Sequence, residues 1–267
     1  MSNKRNQAHA VTLRMRRASR HLDEIDDLVK DFVDAGPFQV SETRDPATGG
    51  YIYRVELTGT PSEDIPVVVG DFLHNLRSAL NYLMIGMLPP SLNRLQYPLY
   101  ENDPFRRVNG SRKFVDRDAR GRNFWRTLEG ALDRRALALV KDYQPFSLGT
   151  RSGKVNMLAM LSRLSNADKH RRLALVSPGL EAPSWVLDLG DKRVFKEWDG
   201  LVMPANQELL RTTAPTTIEL CGTPIVTLQV RPPEGKSKSQ DVRIDALRDL
   251  YLFVSGFLVE PLLGYVR

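Results

Sequence analysis

The sequence predicts an α+β fold: a helical-bundle core of about five helices, an N-terminal β-hairpin, and a C-terminal antiparallel β insertion before the last helix. Three observations predict it. Apolar residues recur every three or four positions over Val67–Leu88, the longest helix-like pattern in the chain. From about 172 to 231 the pattern changes to period two, broken by Gly, Pro and Asp turns, as in a meandering sheet. The last segment returns to helical spacing and is too apolar to stand alone, so it should rejoin the helical core. Residues 1–267 are therefore expected to form a single domain. Its helical core covers about 10–36, 64–88, 128–170 and 241–265, and the strand-rich insertion about 172–231.

Each element has its own warrant. In Ala10–Ala35, Leu22, Ile25, Val29 and Phe32 make an apolar face, and Gly36-Pro37 ends the helix. Its basic half (Arg14, Arg16, Arg17, Arg20) precedes its acidic half (Asp23, Glu24, Asp26, Asp27), an order that opposes the helix dipole. Phe38–Glu42 and Tyr51–Thr58 read as strands joined by Asp45-Pro46 and Gly49-Gly50 turn signals. Pro61-Ser62-Glu63-Asp64 supplies a cap region for the Val67–Leu88 helix. Leu128–Tyr143 and Lys154–Lys169 read as further helices. Leu173 with Leu175, Trp185–Leu189, Glu208–Thr212, Thr217–Cys221 and Ile225–Val230 read as short strands. Asp241 is expected to cap the final helix, with Pro261 kinking it.

Composition narrows the function class. An apolar fraction of 42% is too high for a disordered chain. A net charge of +6 and a pI near 9.5 permit an anionic partner without demanding one. Cys221 is the only cysteine, which rules out an intramolecular disulfide or a Cys-based metal cluster and fits a reducing, cytoplasmic setting. No apolar run is long enough for a membrane span, and the polar N-terminus lacks a signal-peptide core. No phosphate-binding glycine loop, Gly-x-Ser-x-Gly elbow or His-Glu-x-x-His motif occurs, so neither a cofactor nor a metal is implied.

Two polar stripes carry the chemistry. The central helix sets Asp71, His74, Ser78 and Asn81 at three- and four-residue spacing, with Arg77 beside them. Such a stripe needs a polar partner, and the candidate is Ser162–Arg172. There Arg163, Asn166 and His170 share one helical face across seven residues, about 10 Å of helix axis. An imidazole beside a fixed guanidinium suits acid–base work at a phosphate, and Lys169, Arg171 and Arg172 add positive potential. Asp168 is placed to orient the imidazole or pair with an arginine. A structural account is also available, and from spacing alone it is the commoner one: helices often end in cations, and His74, Arg77, Asn81 and Asp168 would form a supporting polar network.

Arg106–Arg126 is the most basic segment. Arg112, Lys113, Arg120 and Arg122, with Trp125 interleaved, form a candidate nucleic-acid-binding stretch, because cations neutralise phosphates and rings stack on bases. The alternative is a surface loop whose aromatic residues tuck into the core.

Gly70–Leu83 (GDFLHNLRSALNYL) and Asn166–Leu173 (NADKHRRL), with Gln96–Arg107 (QYPLYENDPFRR) and the terminal helix, resemble a family of uncharacterised bacterial and phage proteins frequent in actinobacteria. That resemblance implies no activity. Arg163-LSNADK-His170 also resembles the Arg-x4–6-His motif of HEPN domains, helical domains of many RNA-cleaving toxins and defence proteins. The HEPN resemblance implies a homodimer in which the arginine holds the scissile phosphate. The histidine would assist attack by the ribose 2′-hydroxyl without a metal. The family prefers a polar residue after the arginine, where this chain has Leu164. The expectation is therefore an RNA-cleaving protein with Arg163, His170 and Asn166 at its centre. The alternative is a non-catalytic module binding protein, RNA or single-stranded nucleic acid, and whether there is catalysis stays open.

Overall fold

The computed structural model describes residues 2–100, 119–148, 156–170, 173–188, 193–199, 202–230 and 240–267. Helices and strands both occur, so the fold is mixed α+β. The chain divides into two compact units, each assembled from separated stretches: 1–22, 69–172 and 245–267 in one, 23–68 and 173–244 in the other. Two helices, α1 (Ser2–Asp34) and α2 (Asp64–Met87), contribute to both units.

The first unit is helical. In α1, Val11, Met15, Ala18 and Leu22 alternate spacings of four and three and are buried, the seam that a helix presents to a packed neighbour. In α2, Phe72, Leu73, Leu76, Ala79, Leu80, Leu83, Met84 and Met87 are all buried, an apolar stripe too wide for a surface helix. A short 3-10 turn, Pro90–Leu92, follows. Then come α3 (Ala119–Ala131), α4 (Arg134–Asp142), α5 (Pro145–Leu148) and α6 (Met157–Lys169).

The single helix expected over Leu128–Tyr143 is broken at Asp133. That carboxylate accepts hydrogen bonds from the Arg135 and Ala136 amides, which makes it an N-cap and starts a new helix. Asn156 caps α6 in the same way, accepting from the Ala159 amide while its own amide donates to the Pro145 carbonyl.

At the C-terminus, α7 (Ala246–Phe253) passes into a π-helical turn, Val254–Val259, and α8 (Glu260–Leu263). Pro261 can donate no amide hydrogen bond and its ring crowds the preceding turn, which accounts for the widened turn just before it. Asp241 does not cap this helix. It lies in a strand, β8 (Gln240–Arg243), pairs with Gln229, and the helix begins five residues later.

The second unit holds two sheets. β1 (Phe38–Arg44) and β2 (Tyr51–Leu57) pair antiparallel from Phe38↔Leu57 to Arg44↔Tyr51. The turn between them depends on Gly49, at φ 72°, a left-handed conformation that a side chain resists. A Cβ on the adjacent Gly50 would meet the Thr212 carbonyl at 2.7 Å, so glycine lets the next strand approach. That strand is β6 (Glu208–Thr212), and it completes the sheet in the order β1-β2-β6.

The other sheet runs in the order β4 (Arg193–Glu197), β3 (Leu173–Asp188), β7 (Thr217–Val230) and β8, with β5 (Val202–Pro204) also on β3. Here β3 and β7 are each one long strand, with β4 at the edge. The turn signals Pro178-Gly179, Pro183 and Gly222-Thr223-Pro224 do not end them. Glu181 pairs with Thr223 and Ser184 with Cys221, so the irregular stretches of the two strands face one another across a register shift. Breakers set opposite each other make a shared bulge in place of two hairpins. Val55 of the first sheet and Leu180, Trp185 and Leu187 of the second join Met203 in a common core.

Candidate functional site

Two helices of the helical unit bring the central polar stripe to a partner. His74, Arg77, Ser78 and Asn81 of α2 line a cleft of about 140 Å³ with Ser165, Asp168 and Lys169 of α6 and with Gln96. Gly70 sets the spacing on this side. A Cβ there would stand 2.7 Å from Asp168 Oδ1, so only a bare helix backbone lets that carboxylate come so close. Ser78 Oγ and His74 Nε2 are 3.4 Å apart, a long hydrogen bond one helical turn along α2.

The wall that carries Gln96 is pinned by two side-chain amides. Asn81 Oδ1 accepts from the Tyr97 amide at 3.1 Å. Gln144 has no exposed surface; its Oε1 accepts from the Tyr100 amide at 3.1 Å, and its Nε2 donates to the Pro98 and Val140 carbonyls. An irregular segment cannot satisfy its own backbone, so the half-buried Asn81 and the buried Gln144 do it from outside.

Electrostatically the cleft is unbalanced. Arg77 is half-buried, and its Nη1 is buried without a hydrogen-bond partner. Burial pushes its guanidinium below the ordinary value, with the Tyr97 phenol acting in the opposite sense. Tyr97 is fully buried, its hydroxyl has no partner, and burial raises its pKa while Arg77 lowers it. The Ser165 hydroxyl is likewise buried and unpartnered. Arg77 and Ser165 line the cleft and can donate to an anion and fix its orientation, whereas Tyr97 is not among the lining residues.

The face of α6 expected to carry catalysis lies elsewhere. Arg163, Asn166 and His170 are all exposed, and none of them lines the cleft. Steps of seven and three residues put them on one stripe, while Ser165 and Asp168 are rotated onto the other side of the helix. His170 is the C-cap, its backbone amide bonding back to the Asn166 carbonyl, so its ring stands at the helix end. Lys169 is exposed and belongs to the cleft rim.

The basic segment is seen only in its last part. Arg112 and Lys113 lie outside the described residues, as do Arg171 and Arg172, and Arg120 falls in the first turn of α3. Arg122 is half-buried. Trp125 corrects the expectation of a stacking residue: it is fully buried, with Phe124 and Phe146 edge-on to it at 6.1 and 6.4 Å between ring centres. A ring enclosed by other rings offers no face to a base.

Ser165, Gln96, Tyr97 and Gly70 were not singled out from sequence. Ser165 had a signal, since it lies three and four residues before Asp168 and Lys169 within the polar segment. Gln96, Tyr97 and Gly70 lie in stretches that carry the family resemblance, but residue type and spacing point to no role for them, because those roles arise from a loop and a helix approached by distant chain.

Among the described residues no group of three or more His, Cys, Asp and Glu side chains is placed to hold a metal ion, and no helix is long and apolar enough to cross a membrane. No protein-family model, curated protein or solved structure matches this chain.

Proposed function

We propose that the protein acts on RNA, with Arg163 and His170 as the catalytic pair of a metal-independent, HEPN-like cleavage. One observation carries the reading: both side chains are exposed on one face of α6, and His170 occupies its terminus. In this reaction the imidazole takes the proton of a ribose 2′-hydroxyl. The oxygen attacks the adjacent phosphorus, and the bond to the 5′-oxygen breaks. Arg163 stabilises the charge that develops on the phosphoryl oxygens, and Asn166, between the two, positions the phosphate. The leaving oxygen takes its proton from water or from the histidine of a second copy, the homodimer that the HEPN resemblance implies. Lys169 and the basic residues around 106–126 would draw the strand in.

A second reading is a non-catalytic binding module. It is favoured by the separate cleft, whose buried donors lack partners while the exposed stripe stays outside it.

The test measures cleavage and melting on the same variant. Full-length protein is incubated with a mixed single-stranded RNA in the presence of a chelator, and His170→Ala is compared with the parent. The reading expects cleavage by the parent, its loss in the variant, and a melting temperature changed by less than about 2 °C, because an exposed side chain supports little packing. Salt-sensitive binding without cleavage by the parent would move the assignment to the binding module. Full cleavage by His170→Ala would remove the pair from the account.

A further inference from the structure

The α2–α6 cleft makes a demand of its own, independent of the RNA reading. Its volume of about 140 Å³ is close to that of a protein cavity known to take a six-membered ring, so a ligand of about six heavy atoms fits. Donors dominate its lining: the Arg77 guanidinium, the Lys169 ammonium, the Ser78 and Ser165 hydroxyls and the Gln96 amide. Asp168 is the only carboxylate among the lining residues, and no salt bridge joins it to Arg77 or Lys169 among the described residues. Arg77 and Lys169 against Asp168 leave one net positive charge among these three side chains. Arg77 Nη1 and Ser165 Oγ are both buried without a partner, and Ser165 is only 8% exposed. Folded proteins pair their buried polar groups, and a half-buried cation without an anion costs more than any neutral group left alone. Both groups belong to residues that line one cleft, and a ligand that completes them explains the pair.

We propose that this cleft binds a small oxyanion, a carboxylate or a phosphoryl group. Arg77 and Ser165 donate to its oxygens from the floor, and Lys169 supplies charge at the rim. Asp168 selects a ligand that carries a hydrogen-bond donor beside the anionic group, since it can only accept. A side chain at Gly70 would meet the Asp168 carboxylate at 2.7 Å and force it to shift from its present place.

The test titrates the full-length chain by calorimetry with inorganic phosphate, with glycolate and with acetate, each against chloride at matched ionic strength. Saturable binding of phosphate or glycolate is expected, with acetate weaker than glycolate because it lacks the donor for Asp168. Preference for phosphate assigns a phosphoryl ligand, and preference for glycolate assigns a hydroxy acid. Arg77→Gln should weaken binding about tenfold or more, and Ser165→Ala and Lys169→Gln several-fold each. If Arg77→Gln does not fold, Ser165→Ala decides, since a methyl in place of that hydroxyl leaves the packing unchanged. His170→Ala should bind as the parent does, which separates this site from the exposed stripe. No saturable binding of phosphate or glycolate, or affinities unchanged in both Ser165→Ala and Lys169→Gln, overturns the proposal.

Discussion

Two buried tyrosines set the two units apart. In the sheet-bearing unit Tyr53 is 3% exposed, yet its hydroxyl donates to Glu42 at 2.6 Å and accepts from the Thr216 amide at 2.8 Å. In the helical unit Tyr97 is fully buried and its hydroxyl has no partner. The contrast extends beyond these residues. Asp45, almost buried, accepts from the Ala47 amide, the Thr48 hydroxyl and Arg211. Arg211 also pairs with Glu208, which reaches Arg54. Around the α2–α6 cleft, Arg77 and Ser165 end in unpaired atoms. Among the described residues, Trp185 Nε1 is the exception in the sheet-bearing unit, a single indole nitrogen, and Gln7 Oε1 is unpaired in the helical unit without lining the cleft. A fold can satisfy its polar groups, as the sheets do. The helical unit leaves two unsatisfied on residues that line one cleft, Arg77 and Ser165, and that pairing is the mark of a site.

The largest effect should come from a side chain of the helical unit that is satisfied. Gln144→Leu keeps the volume but leaves the Tyr100 amide and the Pro98 carbonyl without it. Destabilisation of about 2–4 kcal/mol in urea unfolding is expected, with faster hydrogen exchange at Tyr97 and Tyr100. A change under about 1 kcal/mol would mean that the segment carrying Gln96 is held by something else.

The next pair of variants tests the contrast itself. Tyr53→Phe strands the Thr216 amide and Glu42, and should cost about 1–3 kcal/mol. Ser165→Ala removes a hydroxyl that nothing satisfies, and without ligand should be neutral or slightly stabilising, by up to about 1 kcal/mol. Equal losses in the two variants would break the comparison between paired and unpaired groups.

The smallest effect is one of pH. The Ala47 amide foremost, then the Thr48 hydroxyl, hold the Asp45 carboxyl below its ordinary value, and Arg211 does the same for Glu208. Both folded values lie below the unfolded ones. Their contribution is therefore complete above about pH 4.5 and is lost as pH falls through the folded values. Urea midpoints measured from pH 3 to 7 should fall less steeply at the acid end for Asp45→Asn with Glu208→Gln than for the parent. Parallel curves would show that these groups do not sense acid.

Local signals in the sequence carried the elements whose cause is local. The apolar spacing of α2 is enough to make it a helix whatever surrounds it, and the glycine pair at 49–50 is enough to mark a turn between two strands. Alternation over Tyr51–Leu57 likewise needs no partner to be visible. The polar stripe of α2 was legible too, because hydrogen-bonding side chains on an apolar helix stand out against their neighbours.

What only the tertiary structure decided depends on residues far apart in the chain. Pro183 and Gly222-Pro224 looked like ends of strands and became one bulge, because each stretch sits opposite the other in the sheet. Trp125 looked like part of a basic, base-stacking segment and became core, because Phe146 and Tyr100 enclose it. Arg163 with His170 and Ser165 with Asp168 read as one polar run; the turn of the helix sends the first pair to solvent and the second to the cleft. Composition and periodicity record what a residue is and which face it shares. Whether that face meets water, a ring or another helix's carboxylate is fixed by packing, and no neighbour in sequence reports it.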